Sequence, residues 1–380
     1  MRSLFISDLH AALRLPHAQL SETATTSDRL EDVCHVLDRV LAYTAEHDVA
    51  QVFVLGDLFH QRHPDAPTLH AVAQRLRALS RVAERVLLLP GNHDAHDKAG
   101  RIYSLSFFDA LQVPGIEVLL EPEPRTFGDV TFWPMPWLPR EATEARISAA
   151  LARRSADRAN VLLLHHTIKG CLDGPRRVQQ GLTLSALGGF DLVLSGHIHR
   201  PQRLGHSVFL GSPLELRASE NDGEQRGFWV MDHAAPHDLH LVPLDDTPKF
   251  LRWSLDTPGA LDDGDRVEAS LVDLTAALSA VLARRPVYLD VHLLGTGAQV
   301  AAAKARVNAH LDELGARERG LRQLRVQRQI DDLGAGQRLR GAVRSSTTRP
   351  AIETGGGAFA RRSAPLGCAI SRRHDTCLRK

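Results

Sequence analysis

Short apolar runs, each closing on a polar cluster, recur through the first 200 residues of the chain. Arg2 to Ile6 leads into Ser-Asp-Leu-His, Gln51 to Leu55 into Gly-Asp, and Val86 to Leu89 into Pro-Gly-Asn-His-Asp. Val161 to Leu164 leads into His-His, and Phe190 to Leu194 into Ser-Gly-His-Ile-His-Arg. Runs of this length, bounded by Gly and Pro, predict strands. Between them the apolar spacing lengthens to the helical period. One helix is expected from about Asp28, as N-cap, to His47, with Leu30, Val33, Leu37, Val40, Leu41 and Thr44 on its inner face. A second spans roughly 67–83, a third about 101–111, and a fourth 141–154.

After residue 115 the rhythm changes. Runs at 117–120, 130–133, 207–210, 227–231 and 238–243 are short and divided by turn residues, which predicts hairpins, whereas the early strand-helix alternation predicts parallel pairing. The expectation is an α/β (α+β mixed) fold over residues 1–250, with helices outside the sheets in layers. Residues 244–260, rich in Asp and Pro, read as a linker or crossover. A small α+β cap is expected over 260–332, from helices near 264–283 and 298–314 and strands at 287–293 and 321–330. Residues 335–380, rich in Gly, Arg, Ser and Thr with no apolar period, read as a disordered tail or an altered reading frame.

Composition adds little until charge is placed along the chain. Apolar content of 43% and charged content of 24% are those of a soluble globular protein, and no apolar run nears the length of a membrane span. The absence of a signal-peptide pattern at the N-terminus points to the cytoplasm. The cysteines at 34, 171, 368 and 377 form no close pair, so neither a disulfide scaffold nor a thiolate metal site is expected. From Gly336 to Lys380 stand ten Lys and Arg against two acids; with +1 overall, the preceding residues carry a net −7. That body has no broad basic face for nucleic acid, so DNA would be held by local patches, the tail or a partner.

The polar clusters carry the chemistry. Strand ends of β-α units converge on one crevice, and here they would bring together Asp8, His10, Asp57, Asn92, His93, His165 or His166, His197 and His199. Each motif alone is an ordinary turn or capping loop. In series, each after a strand, they make a metal site. Carboxylates, an amide oxygen and imidazoles suit Mn, Fe, Co or Zn, and the ligands are too many for one ion. Two ions bridged by one Asp use them economically and serve a phosphoryl displacement.

The set resembles the calcineurin-like metallophosphoesterases, whose motifs here read Asp8-x-His10, Gly56-Asp57, Gly91-Asn92-His93-Asp94, His165 and Gly196-His197-x-His199. Within that superfamily, Gly56-Asp57-Leu58-Phe59-His60 followed by Pro64, Gly211-Ser212-Pro213 and Gly227-Phe228 are similar to the SbcD/Mre11-type DNA-repair nucleases. The resemblance spans residues 1–250, covers the cap in outline and omits the tail. It implies a layered αββα sandwich. It implies that Asp8, His10 and His199 hold one divalent ion, that Asn92, His165 and His197 hold a second, and that Asp57 bridges them, with Mn foremost. His93 would donate a proton or stabilise charge, with Asp94 orienting its ring, and His60 would contact the scissile phosphate. The expected activity is exonuclease on double-stranded DNA ends, extended to endonuclease on hairpins. The expected partners are an SMC-like ATPase of the SbcC/Rad50 type and a second copy of the nuclease chain, with no membrane. The partner-binding segment of such proteins follows the cap, where this chain turns into its Gly/Arg-rich tail. A stand-alone phosphoesterase acting on cyclic nucleotides or phosphomonoesters would use the same ligands.

Overall fold

The computed structural model describes residues 1–97, 99–255, 260–261, 263–317 and 319–330, the last eight by backbone alone. In chain order the elements begin with β1 (Arg2–Ile6), α1 (Asp28–Glu46), β2 (Val49–Leu55), α2 (Ala66–Leu79), β3 (Arg85–Leu89), α3 (Ser106–Ala110) and β4 (Ile116–Val118). There follow β5 (Arg125–Phe127), β6 (Val130–Pro134), α4 (Arg140–Leu151), β7 (Ala159–Leu164), β8 (Leu172–Asp173), β9 (Arg176–Arg177) and α5 (Leu184–Leu187). Next come β10 (Leu192–Ser195), β11 (Gln202–Leu204), β12 (Ser207–Phe209), β13 (Gly227–Asp232) and β14 (Leu239–Pro243). The described part closes with β15 (Lys249–Leu255), α6 (Gly264–Leu282), β16 (Val287–Gly295), α7 (Gly297–Glu313) and β17 (Leu321–Ile330). Met1–Asp331 forms one compact unit.

Two six-stranded sheets carry the body, in the orders β14-β13-β1-β2-β3-β4 and β11-β12-β10-β7-β6-β5. Strands β1 to β4 are mutually parallel, as are β6, β7, β10 and β12, while β13, β14, β5 and β11 pair antiparallel at the flanks. Alternation along a strand divides its side chains between two cores. Leu4 and Ile6, Val52 and Val54, and Val86 and Leu88 pack under α1 and α2. Phe5, Phe53, Leu55, Leu87 and Leu89 pack against Phe132, Val161, Leu163 and Leu194 of the other sheet. Between the sheets Phe5 stacks on Phe53 at 5.1 Å, and Phe132 approaches Phe53 at 4.8 Å. The second sheet's outer face is covered by Ile147 and Ala150 of α4 and Leu187 of α5. The body is therefore a mixed α/β sandwich with helices on both outer faces.

Several boundaries move. Ser27, rather than Asp28, caps α1 by accepting from Leu30 N. Asp65 caps α2 by accepting from Thr68 N, and that helix stops at Leu79. The expected helix over 101–111 contracts to Ser106–Ala110. The linker reading of 244–260 is corrected: Lys249–Leu255 is a strand, paired in parallel with β16. Its apolar residues, Phe250, Leu251, Trp253 and Leu255, sit between Asp- and Pro-rich flanks that read as loop on composition.

The third sheet, β15-β16-β17, is parallel and packs α6 and α7 onto its own core, which includes Leu271, Leu278, Val291 and Val307. It meets α1 through buried polar contacts. Tyr288 Oη donates to Asp28 Oδ2 at 3.0 Å and to Asp32 Oδ2 at 3.2 Å. The fully buried Arg29 guanidinium lies 4.9 Å over the Tyr288 ring and 5.2 Å over Phe250. No helix among the described residues is long and apolar enough to cross a membrane. The tail at 335–380 lies outside the described residues.

Candidate metal centre

The polar clusters sit where parallel strands end: Asp8 and His10 after β1, Asp57 after β2, Asn92 and His93 after β3, His165 after β7, and His197 and His199 after β10. Turning the chain this sharply strains it. Asp8, His10, Asp57 and His197 have φ of 53°, 48°, 51° and 80°, a left-handed region that non-glycine residues enter at a cost of about 1–3 kcal/mol each. Glycines make room for the crowding. A Cβ on Gly91 would come within 2.9 Å of His165 Nε2, and one on Gly196 within 2.7 Å of His165 Nδ1 and 3.0 Å of Asp8 Oδ2.

The side chains converge around Asp57. Its Oδ2 lies 3.6 Å from His10 Nε2 and 3.2 Å from His165 Nε2. On one side Asp8, His10 and His199 form a group, with the Nε2 atoms of His10 and His199 3.0 Å apart. On the other side His165 joins Asp8 and Asp57, and His197 Nδ1 approaches Asn92 Oδ1 at 2.7 Å. His165 shows most directly that the residues fit a cation. Its ring is fully buried, and its Nδ1 donates to Leu55 O at 2.8 Å. Its Nε2 faces the carboxylates yet makes no hydrogen bond. A buried ring nitrogen without a well-formed hydrogen bond, beside two carboxylates, suits a divalent ion. Its neighbour His166 turns away, with Nε2 at Leu138 O, 2.8 Å, and Thr143 Oγ1, 3.3 Å.

Electrostatics follow from this crowding. Burial pulls His165 down, but the charges of Asp57 and Asp8 outweigh it and push the ring up to about 9. Burial would raise Asp57, and His165, His10 and His93 overcome it, holding that carboxylate well below its usual range. Burial, reinforced by the positive field of His165, drives His197 down to about 3, so it stays neutral with a lone pair for coordination.

His60 and His93 stand at the edge of the cluster. His60 Nδ1 is 3.3 Å from His10 Nδ1, and the His60 carbonyl receives His93 Nδ1 at 2.7 Å. The expectation that Asp94 orients the His93 ring is corrected. Asp94 is buried beneath the loops, where Oδ2 accepts from Asp57 N and Gly91 N at 2.9 Å each and Oδ1 accepts from Phe59 N and Ser104 Oγ. Its aim is set by its place behind Asn92 and His93, where three backbone amides from two loops and the Ser104 hydroxyl surround it. Burial, followed by the charge of Asp57, pushes its carboxyl up to about 7.

Four supporting residues are given no role by the sequence motifs. Glu220 Oε1 lies 2.9 Å from His199 Nδ1. Arg226 fixes that segment by donating to His199 O and Glu220 O at 2.6 and 2.7 Å. Ser7 Oγ donates to Asp8 Oδ2, and Ser212 Oγ to Asp8 O at 3.0 Å. Ser7, within Ser-Asp-Leu-His, and Ser212, within Gly211-Ser212-Pro213, lie in stretches the sequence singles out; Glu220 and Arg226 do not.

The sequence profile of the calcineurin-like phosphoesterase family matches residues 1–201. Among curated proteins, the chain is 27% identical to the DNA double-strand break repair protein Mre11 of Haloferax volcanii, over 54% of this chain and 45% of that protein. It is 22% identical to the SbcD component of the SbcCD nuclease of Staphylococcus epidermidis, over 53% of this chain and 60% of that one. The chain thus spans about half the length of the curated relatives it matches. Among solved structures, a dimetal phosphatase from Danio rerio aligns with 60% of this chain and 91% of its own, at 12% identity and a TM-score of 0.39. A Pseudomonas putida nuclease aligns with 46% and 66%, at 22% identity and a TM-score of 0.24.

Proposed function

We propose that this chain, which belongs to the calcineurin-like phosphoesterase family, is a two-metal phosphodiesterase that cleaves DNA. The observation that carries the metal-dependent part is the fully buried Nε2 of His165, 3.2 Å from Asp57 Oδ2 and 3.9 Å from Asp8 Oδ1 without a well-formed hydrogen bond to either. The likeness to Mre11 and SbcD, with the His60 ring in the cluster, supports DNA as the substrate.

Asp8, His10 and His199 would hold one ion, Asn92, His165 and His197 the other, and Asp57 would bridge them; Mn fits this oxygen-and-imidazole set, as do Fe, Co and Zn. Metal held there would supply Lewis acidity and an activated water for hydrolysis of a phosphodiester. His93 donates Nδ1–H to the His60 carbonyl, which leaves Nε2 free, and in the imidazolium form Nε2–H is the group that would protonate the leaving oxygen. His10, with Nε2 directed at Asp57, presents Nδ1 to His60 Nδ1. With His10 Nε2 kept unprotonated for the ion, its Nδ1–H would donate to His60 Nδ1, and the neutral His60 ring would carry its own proton on Nε2, ready to donate to a phosphate oxygen. The cap at 260–332 would steer DNA to the site. A Rad50/SbcC-type ATPase and a second copy of the chain would complete the assembly.

The net −7 carried by residues 1–335 favours a second reading, a phosphoesterase for small esters. Cleavage of end-labelled duplex DNA with Mn, measured beside bis(p-nitrophenyl) phosphate, separates the two. Degradation of DNA that disappears in Asp57→Ala supports the nuclease. Turnover of the small diester with DNA untouched overturns it.

A further inference from the structure

One cavity beside the cluster lies outside the chemistry assigned to the metal ligands, His60 and His93. It holds about 230 Å³, with His199 and Glu220 on one wall and the β8–β9 hairpin on the other. The hairpin is pinned to the loop that bears the histidines. The Gln202 side chain both accepts from Leu172 N and donates to Leu172 O, at 2.7 Å each, and Arg200 reaches Gly174 O at 3.4 Å.

The lining charges are unevenly committed. Glu220 serves His199 and Arg217, Asp222 pairs with buried Arg226 at 3.4 Å, and Arg200 is held by Glu224 at 2.6 Å. Asp173 is the exposed acid of the lining. Arg176 is exposed, and its guanidinium makes no hydrogen bond or ion pair among the described residues. Three guanidiniums therefore line a cavity that shares the His199 wall with the metal cluster, and one of them is uncommitted. A guanidinium is suited to phosphate by its fork of donors and its permanent charge.

We propose that this cleft is the subsite for the phosphate next to the one being cut, on a DNA strand whose scissile phosphate lies at the metal cluster, and that Arg176 binds it. The inference rests on reading the chain as a DNA phosphodiesterase. A cyclic nucleotide or a phosphomonoester brings no neighbouring phosphate and leaves the cleft unfilled, so the cleft discriminates polymer from small ester where the metal ligands do not.

The test uses the full chain, a fluorescent oligo(dT) as the polymeric probe, and bis(p-nitrophenyl) phosphate as the small one. Arg176→Ala weakens oligo(dT) binding about three- to tenfold, as read by anisotropy, and Arg176→Lys restores most of it. The slope of log affinity against log salt becomes shallower by about 0.7, the change for one phosphate contact on a single strand. Turnover of the small diester is unchanged. Unaltered affinity and salt slope in Arg176→Glu overturn the subsite while leaving the nuclease reading intact. A parallel fall in small-diester turnover also overturns it, because the hairpin then only supports the metal cluster. If the unsubstituted chain leaves both oligo(dT) and end-labelled duplex DNA uncut yet turns over the small diester, the nuclease reading fails and takes the subsite with it.

Discussion

His199 Nδ1 lies 2.9 Å from Glu220 Oε1, and this contact sets the direction in which the ring's other nitrogen points. Nε2 is turned toward His10 Nε2 and Asp8 Oδ1, at 3.0 and 3.8 Å. A carboxylate behind a coordinating imidazole fixes its tautomer and strengthens it as a ligand. Glu220→Ala is expected to lower Mn affinity about 10- to 100-fold in a calorimetric titration, with Glu220→Gln intermediate. Unchanged affinity in Glu220→Ala would show that His199 needs no such support.

The two histidines at the cluster edge separate binding from turnover. His93 contributes its ring to the edge and its backbone N–H to Asp57 Oδ1, at 2.8 Å. The backbone contact survives substitution, so His93→Ala should retain metal while kcat falls about 10²- to 10⁴-fold, the range for a lost general acid. Full activity in that variant would remove His93 from the chemistry. His60→Ala should reduce cleavage of duplex DNA, and equal hydrolysis would remove the role assigned to its ring.

Asp94 makes a prediction about stability. Its carboxylate satisfies three backbone N–H groups and the Ser104 hydroxyl, all beneath the loops that carry Asp57 and Asn92. Asp94→Ala strands those donors, at about 1–3 kcal/mol for each that water cannot reach. A thermal melt several degrees below that of the unsubstituted chain is expected, together with weaker metal binding. A melt unchanged within a degree would contradict the clamp.

Asp32, at the junction of α1 with the third sheet, gives a pH dependence. Burial pushes its carboxyl up to about 6 despite the charges of Arg29 and Arg322. The folded state therefore holds this proton more tightly than the unfolded state, whose carboxyl titrates near 3.8. The resulting stabilisation is complete below the unfolded pKa and is lost as pH rises through the folded one, between about 4 and 6. Over that window it amounts to roughly 2–3 kcal/mol. Denaturant unfolding from pH 4 to 7 should show Asp32→Asn lacking this component of the pH slope. Parallel curves for the two proteins would contradict it.

Most of the candidate centre is legible in the sequence because each proposed ligand follows a strand, and strand ends are where the two sheets face one crevice. The period of two in Leu4-Phe5-Ile6 and Val52-Phe53-Val54-Leu55 likewise announces two cores. What is not legible depends on distance in sequence. Glu220 reaches His199 from 21 residues away, and Arg29 finds Tyr288 across the whole body. No local pattern marks either pair. Asp94 escapes a sequence reading for a related reason: its neighbour in sequence is His93, but most of its partners are backbone amides brought in by separate loops. The strand Lys249–Leu255 is hidden because its flanks resemble a linker and its parallel partner, β16, comes more than thirty residues later.

The most direct measurement is the number of Mn ions bound per chain at saturation, by titration calorimetry with elemental analysis of the dialysed protein. A two-metal centre built around Asp57 binds two ions in the unsubstituted chain, and drops to one or none in Asp57→Ala because the carboxylate between the two groups is gone. A single ion in the unsubstituted chain, or two ions still held tightly by Asp57→Ala, would contradict it.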